Sequence, residues 1–131
     1  MGAKERATRL HESGLNCAQS VLGALVEYTG LDEKTALAVS AGFGGGVRSG
    51  EICGAVSGAV MALGLAFPHT DGEDEQASRK IAGLIRAYTS TCMEAFGALC
   101  CRDLRGGARP CAVLIEEATE LAENYIIKNK G

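Results

Sequence analysis

The sequence has two prolines in 131 residues, no run of basic residues and no CxxC pair among its cysteines. Scarce proline leaves room for long helices, because nothing removes their backbone donors. Lys and Arg number 13 and stand singly, against 16 Asp and Glu, for a net charge of −3. Without a basic stripe to neutralise phosphates, nucleic acid is excluded as the expected partner. The opening residues MGAKERATRLHESG are charged throughout and lack the apolar region of a signal peptide, so a cytoplasmic location is expected. The apolar stretch from Ile52 to Phe67, 16 residues interrupted by Gly54, Gly58 and Gly64, is too short for a bilayer span and reads as a buried core helix. No Ser-His-Asp arrangement, carboxylate pair or cofactor fingerprint stands out, so no catalytic residue is assigned.

What remains is helix and cysteine. No repeat, linker or low-complexity run divides the chain, and the apolar periodicity is helical almost everywhere. The spacing predicts helices over residues 3–13, ended by Gly14, and 17–29, capped by Asn16 and ended by Gly30. A third begins at Asp32 and fails at Gly42; a fourth runs from about Glu51 to Phe67, closed by Pro68. A fifth follows the acidic run Glu73, Asp74, Glu75, with an apolar stripe of Ala77, Ile81, Leu84, Ile85, Tyr88, Cys92 and Phe96. Residues 97–109 look irregular, and Pro110 opens a last helix to about Lys128. The expected fold is all-α, a single-domain bundle of five to six helices over residues 1–131. Small and apolar surface on the fourth helix also suggests a homodimer.

Six cysteines fall well short of a disulfide scaffold, and a chain of this length buries enough surface to fold without staples. In a reducing compartment the thiols would be free, catalytic or bound to metal. Cys17, Cys53 and Cys111 each fall in the predicted first turn of a helix and on its apolar stripe. A helix N-terminus favours a thiolate, though by only ~0.3–1 kcal/mol, so a metal would have to do the rest. Cys100 and Cys101 lie in the irregular segment just upstream of Cys111. Thiolates from four places around one pocket are the ligand set of an iron–sulfur cluster or a thiolate zinc site. Cys92, in mid-stripe, reads as core filler. His11 and His69 read as solvated residues, and Arg48 and Arg102 could balance a cluster's negative charge. The run GFGGGVRSG lacks the Lys and Ser/Thr of a phosphate loop and reads as a flexible or left-handed turn, whose glycines would let backbone N–H groups approach cluster sulfurs.

The segments NCAQSV at 16–21, FGGG at 43–46, CGAVSG at 53–58 and FGALCCRDL at 96–104, with an isolated Cys111, together resemble the C_GCAxxG_C_C family of redox-active proteins. The likeness runs from about His11 to Tyr125. It implies that Cys17, Cys53, Cys101 and Cys111 are the functional four and that the role is redox, with an iron–sulfur cluster. Cys101 is preferred over Cys100 because the family's third cysteine precedes a polar pair and a leucine, here Arg102, Asp103 and Leu104. Cys92 and Cys100 depart from the pattern. A similar domain accompanies haem in split-Soret cytochromes c, but this chain has no CxxCH. The leading expectation is electron transfer through a [2Fe–2S] or [4Fe–4S] cluster with a partner protein yet to be identified. A metal-free thiol/disulfide redox protein and a zinc module are the alternatives.

Overall fold

Helix dominates, as the proline-poor sequence predicts. The computed structural model describes residues 2–130, so Met1 and Gly131 lie outside the described residues. The helices are α1 (Ala3–Glu12), α2 (Cys17–Ala24), α3 (Val26–Thr29), α4 (Glu33–Ser40), α5 (Gly54–Ala66), α6 (Glu75–Phe96), α7 (Cys101–Leu104) and α8 (Cys111–Lys130). The fold is therefore all-α, with eight helices among the described residues rather than five to six. No helix among them is long and apolar enough to cross a membrane.

The two extra helices have identifiable causes. The segment predicted as one helix over 17–29 breaks at Leu25. There the Arg6 guanidinium donates two hydrogen bonds, 3.1 and 3.0 Å, to the Ala24 carbonyl, the group that a continuous helix would offer to Tyr28. The Tyr28 N–H turns to Leu25 O instead, and Arg6 also pairs with Glu27. The second addition is α7, one short turn inside the segment expected to be irregular.

Other boundaries follow their caps. Asn16 and Gln19 form a reciprocal capping box at the start of α2, satisfying two backbone donors that the first turn leaves free. Their remaining amide groups reach Ala41 O and Leu37 O and so tie α2 to α4. Asp32 caps α4 and Asp74 caps α6. Gly30 and Gly97 end their helices in the left-handed conformation.

Helix α5 is the axis of the core. It buries Ala55, Val56, Ala59, Ala62, Leu63 and Ala66 together with two glycines, Gly54 and Gly58. A Cβ on Gly58 would stand 2.6 Å from the Ala18 carbonyl oxygen, so here the backbones of α2 and α5 touch. From α8, Leu114, Ile115, Ala118, Ala122 and Ile126 close the core. Helix α6 adds Tyr88, Cys92 and Phe96, and the Tyr88 hydroxyl donates to Ala118 O at 2.8 Å. The upper part of its predicted stripe, Ala77 to Ile85, is only half-buried.

Candidate functional site

Helix α5 begins at Gly54, three residues later than expected, and the reason builds the site. Residues 51–53 run extended against residues 99–101 in an isolated antiparallel bridge between Ile52 and Cys100. The Cys53 N–H donates to Leu99 O at 2.7 Å and the Cys101 N–H to Glu51 O at 2.6 Å. Two side-chain contacts, at 3.3 and 3.1 Å, join Arg102 to Glu51 as a fork on the same join. Sequence positions some fifty residues apart are thereby brought side by side, Cys53 next to Cys101.

Four thiols meet at one cavity of about 70 Å³, lined by Cys17, Cys53, Cys101 and Cys111. One water molecule needs roughly 10–15 Å³ on such a measure, so the space suits a larger group. Cys17, Cys101 and Cys111 are the first residues of α2, α7 and α8, and Cys53 is the residue that caps α5. Every thiol thus stands where backbone N–H groups are left free by helix geometry. Cys53 is buried, Cys17 and Cys101 are half-buried, and Cys111 is exposed rather than inward-facing throughout. Of the adjacent pair, Cys101 lines the cavity while Cys100 does not. Cys92 is fully buried in α6, and neither His11 nor His69 borders the cavity.

Glycine in the CGAVSG segment makes this arrangement sterically possible. A Cβ on Gly54 would lie 2.4 Å from the Cys17 sulfur and 2.9 Å from Phe43 O. Only glycine lets the Cys17 thiol rest against the first turn of α5. Upstream, Gly45 also lines the cavity, in a left-handed turn over Gly45, Gly46, Val47 and Arg48 with φ of 65°, 65°, 58° and 57°. The GFGGGVRSG run is accordingly a left-handed turn forming part of the wall.

The electrostatics run against isolated thiolates. Burial pushes the Cys53 thiol up to about 11, assisted by the neighbouring Cys17 and Cys101 and opposed by the backbone N–H groups of Ala55 and Val56. Cys111 is also raised, first by burial and then by Cys17 and Cys101, while Arg105 pulls it down. At these two positions desolvation outweighs the ~0.3–1 kcal/mol that a helix start offers a thiolate. Cys92 is raised by burial as well, with Tyr88 opposing. Among the described residues, Arg105 is the one charged side chain lining the cavity, its guanidinium 3.7 Å from the Cys101 sulfur. Sequence reasoning pointed to Arg48 and Arg102 instead. The signal for Arg105 was its i, i+4 spacing from Cys101, legible only once α7 is known to be helical.

Among the described residues, no three His, Cys, Asp or Glu side chains form a group that could hold a metal ion as they stand. The site is thus a thiol-lined, largely apolar cavity with one flanking cation, set in an all-α protein. Over residues 15–125 the chain matches the family described as "Putative redox-active protein (C_GCAxxG_C_C)", and it belongs to that family. No match was found among curated proteins or solved structures.

Proposed function

We propose that Cys17, Cys53, Cys101 and Cys111 hold an iron–sulfur cluster and that the protein transfers electrons. One observation carries this reading: four cysteines from four separate parts of the chain line the same cavity. The donor set fits, since thiolates are the ligands of both [2Fe–2S] and [4Fe–4S] centres. A single zinc ion draws its sulfurs to about 2.3 Å, whereas a cluster keeps its own iron and sulfide between the protein ligands, and a cavity of about 70 Å³ among four thiols suits the larger group.

The chain's residues have definable roles in this scheme. Bound iron would supply the one-electron chemistry and hold the Cys53 and Cys111 thiols deprotonated against the burial that raises them. Ala55, Leu104 and Leu114 line the cavity and limit water access. Arg105 donates toward the Cys101 sulfur and offsets negative charge, a recognised means of raising a cluster's potential.

Anaerobic purification followed by absorption spectroscopy and iron, sulfide and zinc analysis tests the proposal. Charge-transfer bands with iron and acid-labile sulfide are expected. Zinc without iron, or a metal-free protein cycling through a disulfide, overturns it. Cys53→Ser is expected to lose the cluster, and Cys92→Ser to keep it.

A further inference from the structure

The neighbouring cysteines Cys100 and Cys101 are both half-buried, yet only Cys101 lines the cavity. The backbone pairing explains the difference. Ile52 and Cys100 are the directly opposed pair of the antiparallel bridge, and the hydrogen bonds that flank it run from Cys53 N–H to Leu99 O and from Cys101 N–H to Glu51 O. Side chains alternate along an extended segment, so Cys53 and Cys101 fall on one face of the join and Ile52 and Cys100 on the other. The first two border the cavity and the second two do not. A slip of one residue in the 99–101 segment exchanges these faces and delivers Cys100 to the cavity in place of Cys101. Two backbone hydrogen bonds are little to hold a register on which the choice of sulfur depends.

Further contacts gather at Glu51. Its N–H donates to Gly46 O at 3.1 Å, which closes a turn over residues 46–51. A Cβ on Gly46 would stand 2.5 Å from the Glu51 nitrogen and 2.7 Å from its carbonyl carbon, so backbone rests on backbone there. Val47 and Arg48 lie inside this closed turn with φ of 58° and 57°, a conformation that a β-branched residue keeps only where its surroundings impose it. On the other side, the Glu51 carboxylate accepts the Arg102 fork at 3.3 and 3.1 Å, and a Cβ on Gly50 would stand 3.3 Å from the Arg102 Cβ. Residue 51 is thus tied to the turn through its backbone and to residue 102 through its side chain. A slipped register carries Arg102 one position past Glu51 and Gly50 and breaks the fork.

We propose that Glu51 and Arg102 are positioning residues that lock this register and so select Cys101, rather than the adjacent Cys100, as the third cysteine of the cavity. This rests on the reading of the cavity as a metal centre, where the choice of sulfur is the choice of ligand. Both side chains are more than half exposed, at 53% and 57%, and an isolated ion pair at such a place contributes little to overall stability. The two-point geometry of an arginine fork adds specificity, and the pair has only to separate two registers of the same chain. Its effect is therefore read in which sulfur reaches the cavity and not in how firmly the protein folds.

Dibromobimane, which cross-links two thiols that share a pocket, reads the register in the reduced, metal-free full chain, with the joined peptides identified by mass spectrometry. Cross-links of Cys53 to Cys101 are expected to outnumber those of Cys53 to Cys100. Glu51→Ala and Arg102→Ala are each expected to lower that ratio by up to about fivefold, the upper end for an exposed ion pair. The charge-reversed double variant, Glu51→Arg with Arg102→Glu, is expected to restore it. A merely structural pair would change the melting temperature and leave the ratio where it was. A ratio unmoved in both alanine variants, a fall that the reversed pair does not restore, a preference for Cys100 in the unaltered chain, or no cross-link from Cys53 to either neighbour would each overturn the proposal. No metal enters this measurement. Absence of iron from the purified protein therefore counts against the cluster, and an unmoved ratio against the register lock.

Discussion

Helices α5 and α6 divide the work of the fold unequally, and not in the order their side chains suggest. α5 has 13 residues, mostly small, and buries eight of them; α6 has 22 residues and a broad apolar stripe, yet buries only Tyr88, Cys92 and Phe96. The difference lies in how closely a neighbour can approach. Small residues at Gly54, Gly58 and Ala55 let α2 lie against α5 at backbone distance, and that seam carries Cys17 to Cys53. The first half of α6 has no such close partner, and Ile81, Leu84 and Ile85 stay half-covered. Burial here follows close approach rather than residue size.

The strongest way to break this contrast is to truncate each helix in turn. Leu63 on α5 is fully buried, and Leu63→Ala is expected to cost ~2–5 kcal/mol, against a much smaller loss for the half-buried Leu84→Ala, as read by urea unfolding. Next in size is a pH effect at the head of α5. The Cys53 thiol is pushed up to about 11 from an ordinary value of 9.0, so between those values the folded state holds a proton that the unfolded chain has released. Stability of the reduced, metal-free protein should therefore be intact below pH 9.0 and fall as pH rises to about 11, by roughly 2–3 kcal/mol. Thermal melts across this range should show the fall, and Cys53→Ser should reduce it, leaving the smaller part that the raised Cys92 and Cys111 contribute.

A glycine pair sharpens the comparison further. Gly58→Ala drives a Cβ to 2.6 Å from the Ala18 carbonyl and is expected to cost ~1–3 kcal/mol. Gly83→Ala on α6 meets nothing within 4 Å and should gain ~0.5–1 kcal/mol from helix propensity alone. Opposite signs for one chemical change would establish that the α2–α5 seam, and not helix propensity, sets the role of glycine in this chain. A destabilised Gly83→Ala would contradict it.

Much of this architecture was legible in the sequence because it is local. Caps at Asn16 and Asp32, stops at Gly14 and Gly30, and the acidic start of α6 all act within a turn of their residue. What escaped depends on partners distant in sequence. Arg6 breaks the helix at Leu25 from 18 residues away, and the Ile52–Cys100 bridge delays α5 from nearly fifty. The site divides in the same way. Cys17, Cys53 and Cys111 drew notice by their place at helix starts, and Cys101 by family likeness, but α7 and Arg105 did not emerge from residue spacing. The left-handed Val47 and Arg48 were hidden for another reason: nothing in the propensity of either residue announces a conformation that the surroundings impose.

Cys111 opens α8, the helix whose Leu114, Ile115, Ala118 and Ile126 complete the core. A chain leaving the ribosome N-terminus first carries Cys17 and Cys53 well before Cys101 and Cys111, ten residues apart, can complete the set. The cavity wall is therefore a late product of folding, complete only once α8 has been made and has docked. Until then the chain carries its thiols before the wall that gathers them is complete.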